Sequence, residues 1–392
     1  MFRFLTAGES HGRALTAIVE GVPAGLPLDE QFIARDLARR QGGYGRSARQ
    51  QIEQDRAEIL SGVRHGLTMG SPISLLIWNR DWENWKEAMS ISATEQPVEP
   101  LTRLRPGHAD LPGAIKYGLE DIRPILERAS ARETAARVAV GAVARRLLQE
   151  FGIEIHSHTI AIGGVKAREG KNINWAQVEK SPVRCADAEA EKTMMAAIDE
   201  AKEAGDTVGG LFQVIATGVP IGLGSHVHWD RRLDGRISQA MMSVNAVKGV
   251  EIGAGFYLAS LKGSQAHDII EFDKAKREWH HATNRAGGIE GGITNGEPIV
   301  VNAVVKPIPT LAKPLPSVDL KTGEVVQAHY ERSDICVVPA AGVIGEAMLA
   351  IVLADGLLEK FGGDHLKETL RNYQSYLEAL PPYNPSKIDR NG

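Results

Sequence analysis

Apolar positions recur with a helical period in three stretches of the chain. In "DEQFIARDLARRQ", residues 29 to 41, Ile33 and Leu37 stand one turn apart, Asp29 precedes them as N-cap and Gly42 follows the last turn. The spacing predicts a helix with Arg39 and Arg40 at its end. In "ERASARETAARVAVGAVARRLLQE", Val138, Ala142, Val143 and Leu147 share a face, and Ser130 with Glu133 has the form of a capping box. Arg128 and Arg132 flank that start, where free N–H groups and the positive end of the helix dipole favour an anion. The third stretch, "AAGVIGEAMLAIVLADGLLEKFGG", is apolar round most of its circumference and is therefore expected to be buried, stopping at Gly362 and Gly363.

Between these lie shorter elements. "GLFQVIATGV" and "PIVVNAVVKPI" read as strands, "GGIEGGITNGEP" as a glycine-rich connection, and "GGYGRSARQQIEQDR" as a mobile basic loop without apolar periodicity. The tail "PPYNPSKIDRNG" reads as loose, and no repeat with a period of about 20 to 50 residues is visible.

Composition narrows the function classes. The 392 residues are 43% hydrophobic and 24% charged with a formal net charge of -4, so no basic excess points to nucleic acid. Cys185 and Cys336 are far apart with no CxxC spacing, which suggests neither a disulfide framework nor a zinc ribbon and favours a reducing compartment. No run reads as a membrane span or signal peptide, and the expected location is the cytoplasm. Residues 1 to 150 hold 18 arginines but only two lysines, Lys86 and Lys116. That bias suits a small, multiply anionic ligand, because the planar guanidinium fork matches phosphate and carboxylate.

Familiar nucleotide motifs fail. "GGVKAREGKN" lacks the first P-loop glycine and carries Asn172 where a magnesium-binding hydroxyl belongs, and "GGIEGG" does not have the G-x-G-x-x-G spacing. "SHVHWDR" would set His226, His228 and Asp230 on one face of a strand, and "IHSHT" adds His156 and His158. A metal-dependent hydrolase is the alternative that these pairs raise, although Arg231 stands where a further ligand would be needed. A non-catalytic flavin- or phosphate-binding protein is another, since it would keep the arginines without requiring a proton donor.

Two histidines lie in turns between small residues. His11, in "TAGESHGRAL", sits between Gly8 and Gly12 near Arg13; His108, in "RLRPGHADLPG", follows Gly107 close to Arg103, Arg105 and Asp110. A turn lets an imidazole point into a cleft, and its pKa near neutrality suits proton transfer.

Seven spaced motifs carry a family resemblance: "GESHG", the Arg39 to Arg49 segment "RRQGGYGRSAR", "RPGHADL", "RASARETAARVAVGA", "MMSVNAVKGVEIGAGF", "NRAGGIEGGITNG" and "AMLAIVLADGLLEKFGGD". Together they resemble the chorismate synthase family over residues 1 to about 365, in its bacterial form. The resemblance implies an α+β fold, a β-α-β sandwich with helices between two antiparallel sheets. It implies one catalytic domain over 1–365, with 366–392 a partly loose C-terminal extension. The implied reaction is the 1,4-anti elimination of phosphate from 5-enolpyruvylshikimate 3-phosphate to chorismate, the last common step of the shikimate pathway. Reduced FMN would be required without net redox change, an external flavin reductase would supply it, and the assembly would be a homotetramer with neither nucleic acid nor membrane as partner.

By motif, the resemblance assigns catalysis to His11, His108 and Asp334, with His11 protonating the leaving phosphate, His108 acting near the flavin's pyrimidine edge and Asp334 assisting loss of the ring proton. Substrate binding falls to His11, Arg40, Arg46, Arg132 and Arg332. FMN binding falls to Arg128, Ala129, Ser130, Asn245, Ala246, Gly291, Lys306, Pro307, Ile308, Pro309, Thr310 and Arg332; an NADP-type contact, if made, falls on Arg40 and Arg46. No metal is implied. Ala129 departs from the family's usual serine, and "KPIPT" at Lys306 to Thr310 departs from "KPTST" or "KPTSS". The segment 267–284 is longer than in some members and is either an assembly element or a surface insertion.

Overall fold

The computed structural model describes residues 1–47, 54–93, 98–168, 170, 172–275 and 278–380. Residues 48–53 of the expected loop 42–56, residues 276–277 of the 267–284 segment and the tail from Pro381 fall outside the described residues.

Strict alternation builds the sheets. In Ala14–Glu20, Leu15, Ala17 and Val19 turn inward while Thr16 and Ile18 face out; in Ile73–Trp78, Ile73, Leu75 and Ile77 do the same. These two strands pair antiparallel at the centre of a four-stranded sheet, with Arg3–Ala7 on one side and Glu58–Ser61 on the other. A second antiparallel sheet runs in the order Val247–Ile252, Ile299–Val305, Gly210–Thr217, Glu154–Ile162 and Val165–Lys166, and includes both strands expected from sequence. Its inner face carries Ile155, Phe212, Val214, Ile299, Val301 and Ala303.

Helices fill the space between. The first, Glu30–Gln41, is capped as its sequence predicts: the Asp29 carboxylate accepts the Phe32 N–H at 2.7 Å and Gly42 ends it. The central helix, Thr134–Gln149, packs against the first helix and the first sheet, and the buried helix, Val338–Phe361, packs against the central helix and the second sheet. Their crossing depends on a glycine. A Cβ on Gly141 would lie 2.3 Å from the Ala347 Cβ, so only a bare backbone permits this approach. The two sheets therefore share one helical core.

Three expectations are corrected. The capping box does not form: the chain breaks at Ser130, which has an extended ψ of 142°, passes through a 3-10 turn at Ala131–Glu133, and restarts at Thr134. Glu133 is drawn instead to Arg137, one turn on, whose Nε donates to it at 2.9 Å. His226 and His228 lie in an irregular segment leading into a 3-10 turn, not on a strand. Val338–Phe361 is long and apolar enough to cross a membrane, although it is buried along nearly its whole length inside the protein and serves as its core. The helix Leu366–Glu378 docks on the same core, with Tyr373 and Tyr376 edge-on to Phe361.

One acid interrupts that buried helix. Glu346 is fully buried and gathers Arg39, Arg145, Arg184 and the Ser157 hydroxyl. Burial alone would raise its carboxyl, but the charges of Arg145 and Arg39 outweigh burial and hold it below the usual range. Arg39 is thus spent on the scaffold, and its neighbour Arg40 turns the other way, into a cavity.

Candidate active site

The cavity has a volume of about 430 Å³ and lies where the first helix, the break at Ser130, the start of the buried helix and the loops at 105–109, 245–246, 306–310 and 331–334 converge. Both histidines line it, as do Arg40, Arg46, Arg132, Arg332 and Asp334. Each histidine has its own buried carboxylate. Glu127 Oε1 lies 2.8 Å from His11 Nδ1, while its Oε2 accepts the His11 backbone N–H at 2.6 Å. Because a carboxylate only accepts, Nδ1 carries the hydrogen of that bond and Nε2 is left for chemistry. His108 Nδ1 is bound in the same way by Asp110 Oδ1, and Arg105 donates to both Asp110 oxygens. Burial would raise the Asp110 carboxyl, but the hydrogen bonds from His108 and Arg105 hold it below the carboxylate range.

The His11 turn is built by Gly8, whose φ of +107° and a would-be Cβ only 2.4 Å from the Ala14 carbonyl exclude a side chain. Asn79 clamps the turn by donating Nδ2 to the carbonyls of Glu9 and Gly12 at 3.2 and 2.6 Å. The same amide's oxygen accepts from Arg132 Nε and Nη2 at 3.0 and 2.8 Å, which ties the His11 turn to Arg132.

Six cationic side chains line the cavity, Arg40, Arg46, Arg105, Arg132, Arg332 and Lys306, against two carboxylates, Glu331 and Asp334. The balance selects an anion. Arg40 is deeply buried and donates to Thr134 Oγ1 and the Ala131 carbonyl at 3.0 and 2.9 Å. Burial pushes its guanidinium down to about 10, so it stays charged at neutral pH. Asp55 sits between Arg40 and Arg132 and accepts from both. Arg46 pairs with Asp334 at 2.9 Å, and the Ser47 N–H donates to the other Asp334 oxygen at 2.6 Å. Arg332 has no hydrogen bond or ion pair among the described residues and is a free cation at the wall.

Along another wall, Ala246 is held at a φ of +66°, a strained conformation for a residue with a Cβ, while its carbonyl accepts the Lys306 N–H at 2.9 Å. Lys306 Nζ reaches the Gly107 carbonyl at 2.9 Å, joining this wall to the His108 turn. Asn245 donates to the Ala129 carbonyl, and its buried Oδ1 meets no donor among the described residues.

The match to known proteins extends over the same ground. The family model described as chorismate synthase matches residues 2–358. The chain belongs to the chorismate synthase family. Chorismate synthase of Moorella thermoacetica is 58% identical over 386 residues, covering 97% of this chain and all of that one. The Aquifex aeolicus enzyme is 57% identical over 393 residues, covering 97% and 98%. A crystal structure of chorismate synthase aligns with a TM-score of 0.77 at 47% identity, covering 96% of this chain and 97% of that one.

Within this chorismate synthase fold, most residues assigned by motif meet at the cavity: Ala129, Ser130, Asn245, Ala246, Lys306, Ile308, Pro309 and Thr310 line it beside the histidines and arginines. Three do not. Arg128 donates to the carbonyls of Gly8 and Thr6 outside the lining, Gly291 lies in the turn between Ile289–Glu290 and Ile293–Thr294, and Pro307 is exposed. The H-x-H pairs of the rival reading do not converge: His156 stacks on Trp175, His158 bonds Gln213 at 3.0 Å, and His228 bonds Asp230 at 2.6 Å on the surface.

Sequence reasoning missed Glu127, Asp55 and Asn79. Glu127 follows Ile125 and Leu126 in a short helix, and nothing in its spacing separates it from a solvated acid. Glu346 did leave a signal, as an acid in an otherwise apolar run that had to find buried partners.

Proposed function

We propose that the cavity eliminates phosphate and a ring proton from 5-enolpyruvylshikimate 3-phosphate, giving chorismate, with reduced FMN bound beside the substrate. The observation that carries the reading is the meeting, in one strongly cationic cavity, of two carboxylate-held histidines with Asp334. The chain is a lyase of the chorismate synthase family; the cofactor, the residue roles and the assembly are this reading's own.

The residues fit a flavin mononucleotide. The unpartnered Asn245 Oδ1 offers an acceptor to an imide N–H, Arg332 and Lys306 suit a phosphate, and Val337, Ala340 and Ile344 supply apolar wall for a planar ring. When bound, reduced FMN supplies electron density to the breaking C–O bond and recovers it as the proton departs, so the reaction has no net redox change.

The protein's own groups do the rest. Arg40, Arg46, Arg132 and Arg332 bind the phosphate and carboxylates and fix the ring. His11 delivers a proton from Nε2 to the departing phosphate, with Glu127 stabilising the imidazolium. His108, held by Asp110, lines the same cavity and would act on the flavin when it is bound. Asp334, positioned by Arg46 and Ser47, helps take the ring proton. A separate flavin reductase supplies reduced FMN, and the working assembly is a cytoplasmic homotetramer.

An anaerobic assay of phosphate release tests this. One reduction of a sub-stoichiometric amount of FMN is expected to support many turnovers, and oxidised FMN none. Turnover with oxidised flavin, or one flavin oxidised per product, would overturn the mechanism.

A further inference from the structure

The face of His11 is covered by an aromatic ring that has no part in the site described above. Trp85 stacks on the imidazole with ring centroids 3.8 Å apart and planes inclined by 22°. It does not line the cavity. Its own orientation is fixed, since the indole N–H donates to Asp81 Oδ2 at 3.1 Å and Asp81 belongs to the 3-10 turn Arg80–Asn84 immediately before it. The Arg123 guanidinium carbon also lies 5.2 Å from the indole centroid. Arg123 in turn donates to Glu331 at 2.7 Å and reaches Glu127 Oε1 at 3.5 Å, the oxygen that binds His11 Nδ1. Ring and carboxylate therefore constrain the imidazole in two independent directions. Glu127 fixes rotation within the ring plane by holding Nδ1, and Trp85 fixes the plane itself.

We propose that Trp85 is a positioning residue for His11, holding the imidazole plane so that Nε2 meets the leaving phosphate oxygen. The inference rests on the proton-donor role of His11 argued above. A hydrogen bond to Nδ1 leaves the ring able to tilt about that bond; a stacked indole, anchored at Asp81 and touched by Arg123, removes the tilt. Because the ring is partly buried and lies outside the cavity lining, its loss should act on the chemical step more than on substrate binding.

The test compares Trp85→Ala and Trp85→Phe with wild type in the anaerobic assay, together with the imidazole proton resonance of His11, assigned by its absence in His11→Ala. Trp85→Ala is expected to lower kcat by about ten- to a hundredfold with KM changed by less than about threefold. Its His11 resonance is expected to lose the ring-current displacement seen in wild type. Trp85→Phe, which keeps a stacking face, is expected to recover most of kcat and most of the displacement. Wild-type kcat in a folded Trp85→Ala protein, or a loss that Trp85→Phe fails to recover although it melts like wild type, would overturn the positioning role. An inactive wild-type enzyme with reduced FMN would instead overturn the functional reading, and this proposal with it.

Discussion

Glu127 holds His11 at two atoms, its Oε1 2.8 Å from the ring Nδ1 and its Oε2 accepting the backbone N–H at 2.6 Å. The carboxylate fixes tautomer and turn together. Replacing His11 with Ala is expected to lower turnover by about 10² to 10⁴ with FMN binding retained, since a general acid contributes on that order. Glu127→Gln keeps the size of the side chain but loses the charge that stabilises an imidazolium, so a smaller loss is expected. Steady-state phosphate release for both variants checks this; equal wild-type rates would remove His11 from the chemistry.

Asp334 shares its charge with Arg46 across 2.9 Å, and Arg46 is also one of the groups assigned to the substrate. An arriving phosphate or carboxylate competes for that guanidinium. Asp334→Asn is therefore expected to lower kcat by about a hundredfold or more while leaving KM unchanged or reduced, because the base is lost and Arg46 is released to the anion. A rise in KM with kcat intact would assign Asp334 to binding alone.

How much of this could be read from the chain beforehand depends on the range of the interaction. Asp29 and Gly42 end the first helix through local bonds, and the spacing found both ends. The capping-box reading of Ser130 and Glu133 failed because the serine hydroxyl turns to Ser10, a tertiary partner, and the acid is drawn to Arg137 one turn on and to Thr6 across the fold. At the site, His11 and His108 were legible as turn residues, yet their convergence depends on chain segments nearly 100 positions apart being brought together by a helical core. Motif resemblance supplied that link. Periodicity could not distinguish Arg39, which serves the core, from Arg40, which serves the cavity.

Acid stability should depend on Glu346. A carboxyl whose folded pKa is depressed stabilises the protein above its unfolded pKa, about 4.3 for Glu, and loses that contribution as pH falls toward the folded value. The buried Glu346 behaves this way, and Glu331 does too: burial opposes, but His329 and Arg123 hold it at about 2. Wild-type stability is thus expected to be flat from neutrality to about pH 5 and to fall below it. Glu346→Gln leaves Arg39, Arg145 and Arg184 without their shared anion and is expected to cost about 3 to 5 kcal/mol at pH 7. Its acid slope should be shallower. Denaturant melts across pH 3 to 7 would show a parallel slope if the network carried no charge coupling.

The helix crossing makes a separate demand. A Cβ on Gly141 would lie 2.3 Å from the Ala347 Cβ and 2.5 Å from its Cα, and neither is the end of a flexible side chain. Gly141→Ala is expected to cost about 1 to 3 kcal/mol through helix displacement, and Gly141→Val more. Ala347→Gly in the same chain should recover part of the loss, because it removes the methyl but leaves the backbone contact. Additive destabilisation by the two changes would place the strain elsewhere.

Asn245 offers the most direct test of the cofactor's seat, because it can be read without turnover. Its Nδ2 is committed to the Ala129 carbonyl at 2.9 Å, which fixes the amide so that Oδ1, buried and without a donor among the described residues, is the atom left over. A buried acceptor without a partner is costly, and a ligand carrying an imide N–H relieves that cost. Asn245→Ala removes the acceptor and should weaken FMN binding by about 1 to 3 kcal/mol, roughly five- to 150-fold in Kd. Titration of flavin fluorescence measures this with oxidised FMN in air, independently of any substrate. Ala246→Gly serves as the contrast: it relieves the positive φ of +66° without touching the acceptor, so it should leave affinity near the wild-type value while raising the melting temperature or leaving it unchanged. If Asn245→Ala binds FMN as tightly as wild type, the flavin does not use this wall, and the unmet oxygen belongs to the substrate's side of the cavity.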